Sequence, residues 1–153
     1  MQIFHITSLR NAYNIVKSGR YIPCYSNPLA QDSGLNAGIL GEELVHQAFE
    51  FTGVRLILQW DGPTTTHNSF PLPKNVLLNS LPWRVMISHG TTEGLTAVRI
   101  EVEDQSQYDE IIGSPPFWAL TQRMKSFWRS NKIRLLNSDI ETYLITQPKI
   151  IVG

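Results

Sequence analysis

Three polar side chains stand where the sequence pattern would hold them still: His5 and Thr7 near the start of the chain and Glu141 near its end. His5-Ile6-Thr7 closes a short apolar stretch, and alternation along a strand turns His5 and Thr7 to the same side. An imidazole and a hydroxyl fixed in this way present hydrogen-bonding groups rigidly toward a ligand. Glu141 lies in Ile140-Glu141-Thr142-Tyr143-Leu144-Ile145, a run otherwise made of sheet formers. That composition predicts a short strand with Glu141, Tyr143 and Ile145 on one face. A carboxylate so placed suits a reaction in which positive charge develops. Taken singly, each residue also has an ordinary reading: His5 as a hydrogen-bonded structural histidine and Glu141 as a solvent-facing acid.

The element that must position His5 and Thr7 is the helix that follows. Ser8 or Thr7 supplies an N-terminal cap, and Gly19 suits the left-handed residue that closes a helix. Leu9, Ala12, Tyr13 and Val16 recur at i, i+3, i+4 and i+7 and form one buried stripe.

With these residues in place, the opening stretch resembles that of the ADP-ribosyltransferase superfamily, in which a strand bearing His-x-Thr precedes a helix ending in Ile-x-x-x-Gly. Here the matching residues are His5-Ile6-Thr7 and Ile15 to Gly19. Glu141 to Pro148 is similar to the late Glu-bearing strand of the DarT-like branch of bacterial toxins. The resemblance implies an α+β domain over residues 1–153, a split and mostly antiparallel β-sandwich with flanking helices. It implies NAD as substrate and no metal. Cleavage of the nicotinamide–ribose bond passes through an oxocarbenium-like state, the problem that glycosidases share. By resemblance Glu141 stabilises that state, His5 bonds the adenosine ribose, the Ile6 backbone grips the nicotinamide amide, and Thr7 lends a hydroxyl. A tyrosine after the first helix stacks on the nicotinamide ring; Tyr21 and Tyr25 both qualify and Tyr25 is preferred.

The chain departs from the family pattern in three places. Ile6 stands where many members have glycine. No arginine clearly matches the one that steadies the NAD phosphates, with Arg20, Arg55 and Arg84 as candidates. Asp139 occupies the position two before Glu141 where arginine-specific toxins carry Glu or Gln.

The rest of the chain reads as follows. Tyr21 to Tyr25 is a short extended piece, and residues 26–38 form a polar loop placed to cover a ligand as a lid. Leu40, Leu44, Ala48 and Phe51 suggest a helix ended by Gly53. Val54 to Trp60 is a strand closed by the turn Asp61-Gly62-Pro63. Residues 82–88 and 95–103 are expected to pair as a hairpin, with Val98, Ile100 and Val102 on the buried side and Arg99, Glu101 and Glu103 on the wet side. Ser114-Pro115-Pro116 is the expected start of a helix to about Ser130, with Phe117, Leu120, Met124 and Phe127 buried. Ile133 to Leu136, a turn at 137–139, the Glu141 strand and a last strand near 149–152 complete the reading.

Composition narrows the class. Thirteen basic and thirteen acidic residues cancel, so no global field draws the chain to nucleic acid or anionic lipid. A local cluster does exist: Arg123, Lys125, Arg129, Lys132 and Arg134 beside Trp118, Phe127 and Trp128. Bases could stack there while the cations meet phosphate, and together with the DarT-like resemblance this implies a DNA or RNA acceptor slightly ahead of protein. The commoner reading of such a cluster is a helix with one charged and one buried face. A single cysteine, Cys24, excludes an internal disulfide framework. The four histidines include no i, i+4 pair, which argues against zinc. Phosphate loops and a Rossmann glycine pattern are missing, as are a signal peptide and an apolar run of membrane-spanning length.

The leading expectation is therefore a toxin-like mono-ADP-ribosyltransferase, cytoplasmic or delivered into a target cell, with a neutralising antitoxin or immunity protein as a further partner. The alternative is an inactive module of the same fold that binds a nucleotide or a protein. A third option, NAD-dependent removal of a 2′-phosphate from RNA, ranks low because the basic doublets that would grip the phosphate are not evident.

Overall fold

The structure is a computed structural model that describes residues 2–21, 34–37, 53–62, 65–66, 84–86 and 94–153. Strand β1 (Gln2–Ile6) leads into helix α1 (Leu9–Ser18) and the short strand β2 (Arg20–Tyr21). Then come β3 (Gly34–Ala37), β4 (Val54–Trp60), β5 (Thr65–Thr66), β6 (Arg84–Met86) and β7 (Leu95–Val102). A 3-10 turn (Gln105–Tyr108), helix α2 (Asp109–Ile112), the long helix α3 (Gln122–Thr146) and strand β8 (Ile151–Val152) follow. Helices and antiparallel strands share one core, so the α+β class holds. No helix among the described residues is long and apolar enough to cross a membrane.

Six strands form one sheet in the order β5-β6-β3-β1-β4-β7, with antiparallel pairing throughout. β2 and β8 pair in parallel as a second, two-stranded sheet. Residues 148–150 stitch it to the edge of the first, where Ala97 N–H donates to the Pro148 carbonyl and Ile150 N–H to that of Leu95. In the run Val54 to Trp60, β4 buries Val54, Leu56, Leu58 and Trp60 on the helix side and Ile57 on the other face, with Arg55 and Gln59 half-buried beside it. On the helix side, Ile3, Leu56 and Leu58 meet Leu9, Ala12 and Val16 of α1 and Ile140 of α3. Phe4 and Ile57 form a smaller cluster on the other face, with Ile6 against it.

Helix α1 forms where its caps predict. Ser8 Oγ accepts from Asn11 N–H, and Gly19 at φ 66° donates its N–H to the Ile15 carbonyl. Two distant side chains satisfy further orphan groups at its ends. Gln107 Oε1 accepts from Leu9 N–H, and Gln147 Nε2 donates to the carbonyls of Val16 and Lys17.

Several expectations change. β6 pairs with β3 and β5, and β7 pairs with β4, so Arg84–Met86 and Leu95–Val102 are not paired with each other as the expected hairpin. Val98 is 39% exposed, not buried. The β4 register passes from Ile57↔Arg99 to Leu58↔Ala97, which leaves Val98 as an extra residue. This bulge flips the alternation: Leu95 and Ala97 face the core before it, Ile100 and Val102 after it. Part of the expected loop 26–38 is strand β3. The helix expected from Ser114 begins at Gln122, capped by Thr121, whose Oγ1 accepts from Met124 N–H. It then runs through the expected turn at 137–139 and the expected strand at 140–146. Cys24, Tyr25, the remainder of the 26–38 loop and the helix expected at 40–51 lie outside the described residues.

Candidate functional site

His5 sits at the end of β1, one step before α1 turns away, on the same sheet face as Ile3. The Tyr21 ring meets it edge-on, with centroids 5.0 Å apart and planes at 81°. Burial strips water from the imidazole and pulls its pKa from 6.5 down to about 4. At neutral pH His5 is therefore uncharged, with one ring nitrogen a donor and the other an acceptor. Such a group can bond a hydroxyl but brings no positive charge to a phosphate. Thr7 is buried beside it, and its N–H donates to the Val54 carbonyl. Ile6 turns to the opposite sheet face, toward Phe4 and Ile57.

The backbone at this point is the more informative feature. β4 follows β1 through Ile6, whereas the ladder between β1 and β3 extends only over Ile3 and Phe4. β1 and β3 therefore part at His5. The Thr7 N–H bond to Val54 fixes the alternation. Beyond Phe4 it is therefore the Ile6 N–H and C=O that point to the β3 side, next to the neutral imidazole and with no ladder partner among the described residues.

Tyr21, expected as a stacking platform, is only 8% exposed. Its ring is spent on His5 and the core, so it holds the histidine and presents no open face to a nicotinamide. Of the candidate phosphate arginines, Arg55 is committed elsewhere: its Nη2 lies 2.9 Å from Glu101 Oε2 and 3.2 Å from Glu103 Oε1. Arg99 Nε adds a contact to Glu101 at 2.7 Å. The expected wet face of β7 is thus an ion-paired patch across β4 and β7.

Glu141 is not on a strand. It projects from α3 into an open groove of about 670 Å³ that Gln105, Arg129, Arg134 and Asn137 also line. Asp139, two residues earlier, turns toward α1 and accepts from the Tyr13 hydroxyl at 2.6 Å. Two positions along a helix differ by about 200° in direction, so Glu141 faces away from α1, on the flank beside the 3-10 turn. Asn137 marks that flank by accepting from the Tyr108 hydroxyl. The structure therefore brings His5, Thr7 and Tyr21 together and leaves Glu141 in a separate groove to which β1 contributes no residue.

Sequence reasoning missed two positioning groups here. Asp139 holds the phenol of Tyr13 protonated, its hydrogen bond raising the pKa to about 12. Gln107 seats the first turn of α1 behind Thr7. Neither carries a local signal, because each partner is about a hundred residues away. Comparison with protein-family models, with curated proteins and with solved structures finds no match to this chain.

Proposed function

We propose that this chain is an ADP-ribosyltransferase-like domain that binds an NAD-type dinucleotide at the fork between β1 and β3, as a binding module. The observation that carries this reading is the parting of the two strands at His5, beside an imidazole kept neutral by burial. The resemblance assigns the same segment, His5-Ile6-Thr7, to ribose and amide contacts. The six-stranded sheet is the main layer of this reading, and the short β2–β8 sheet joins its β7 edge through residues 148–150. Glu141 stands outside this arrangement, which is why binding is favoured over transfer.

A second reading, the transferase itself, is favoured by one observation. Glu141 is exposed and lines an open groove with two arginines, Arg129 and Arg134. A macromolecular acceptor and a neutralising partner belong to this second reading.

Calorimetric titration of the full chain with NAD, run beside an assay for released nicotinamide, separates the two. For the binding module, NAD binds without release, His5→Asn weakens binding by about tenfold, the worth of one hydrogen bond, and Glu141→Ala leaves binding unchanged. For the transferase, nicotinamide is released and Glu141→Ala abolishes the release. Absence of NAD binding ends both readings.

A further inference from the structure

Helix α3 carries two apolar faces. One, with Ile133, Leu136, Ile140 and Leu144, packs on the core. At about 100° per residue, Met124, Phe127, Leu135 and Ile145 fall together on the opposite side. All four are exposed, Phe127 at 74% and Ile145 at 80%. The stripe is roughly 30 Å long. In the segment just before the helix, Phe117 is 93% and Leu120 80% exposed. Asn131, Ser138 and Thr142 fall between the four helix residues on the same side. Single exposed apolar residues are ordinary on a protein surface, whereas several sharing one helix face mark an interaction face.

The first two-thirds of the stripe is basic: from Ile111 to Ser138 the chain has five basic residues and no acidic one, and the helix's two acids, Asp139 and Glu141, follow near its end. Arg129 is held by Asp109, at 2.8 Å, and by the Gln105 carbonyl. Arg123, Lys125, Lys132 and Arg134 have no carboxylate partner among the described residues. By helical position Arg123 and Arg134 border one edge of the stripe and Lys132 the other.

We propose that this face of α3 docks an acidic amphipathic helix of another protein, its apolar side on Met124, Phe127 and Leu135 and its carboxylates on the flanking cations. A second copy of this chain is a poorer match, because parallel pairing opposes like charges, and antiparallel pairing offers the four cations a single open carboxylate of the helix, Glu141, Asp139 being engaged by Tyr13. Nucleic acid is a poorer match on the helix itself: Phe127 offers a ring for a base, but Met124, Leu135 and Ile145 have no π face. This docking surface is independent of the dinucleotide reading.

The test uses the full chain and a labelled synthetic peptide of about 20 residues, roughly the stripe's length. The peptide is helical, with leucines on one face and glutamates on both flanks, and a scrambled peptide of the same composition is the control. Fluorescence anisotropy is expected to give saturable binding of the amphipathic peptide, weakened about tenfold by Phe127→Asp. Arg123→Glu with Arg134→Glu should weaken it similarly and reduce its salt dependence. Both variants alter exposed residues, and unchanged thermal transitions keep their results readable. Equal binding of the two peptides, or binding of neither, overturns the proposal. So does a sedimenting dimer that Phe127→Asp disperses, or a single-stranded oligonucleotide that binds through the same residues more tightly than the peptide.

Discussion

Acidification should destabilise this fold through His5 in a predictable way. Folded, His5 stays neutral down to about pH 4, whereas the ordinary imidazole value of 6.5 describes the unfolded chain. Between these values the unfolded state binds the proton and the folded state does not, so stability falls as pH drops from about 7 to about 4. Above pH 7 both states are neutral and the residue contributes no pH dependence. One pKa unit is worth about 1.4 kcal/mol, so the gap amounts to roughly 3 kcal/mol. That is a large part of the 5–15 kcal/mol typical of a domain. Urea unfolding of the wild type and of His5→Gln at several pH values isolates the effect, because every other titrating group is common to both. The wild type should lose about 3 kcal/mol more than the variant between pH 7 and pH 4. Parallel pH profiles for the two proteins would refute the reasoning, since His5 would then titrate as though it lay in water.

Other expectations follow from contacts already described. Tyr13→Phe removes the 2.6 Å bond to Asp139 and should cost about 1–2 kcal/mol at pH 7 in a denaturant titration. The contribution of this phenol should persist up to about pH 10 and fade toward pH 12, because its pKa is raised to about 12. Gly53→Ala should destabilise by about 2–4 kcal/mol in the same assay, since φ is +60° and an added Cβ would lie 2.7 Å from the Cβ of Asp104. Glu141→Ala, on an exposed helix flank, should shift stability by no more than about 0.5 kcal/mol.

Helix α1 was legible because its signals are local: a capping serine, a stripe at helical spacing and a glycine in the left-handed region. The strand at Val54 to Trp60 was legible by length and apolar content, but its neighbours were not, because pairing partners leave no mark on alternation. The Glu141 segment was misread for a physical reason. Ile140, Thr142 and Ile145 are β-branched and favour strands locally, yet Ile133, Leu136, Ile140, Tyr143 and Leu144 recur at helical spacing and pack on the core. Tertiary burial outweighs propensity there, and the hydroxyls of Thr142 and Thr146 bond back to the carbonyls four residues earlier. The polar run Asn137-Ser138-Asp139 looked like a turn because its partners, Tyr108 and Tyr13, are distant in sequence. Longer-range spacing from Ile133 to Leu144 was the signal that would have found the helix. No comparable signal told that His5 and Glu141 lie apart.

Whether a dinucleotide enters the fork between β1 and β3 is answered most directly by NMR on the isotope-labelled full chain titrated with NAD. The backbone amides of Ile6 and Thr7 and the imidazole of His5 should shift together and saturate, with Glu141 unmoved. Shifts confined to the groove around Glu141 and Arg134, or no shifts at all, would contradict a ligand site at the end of β1.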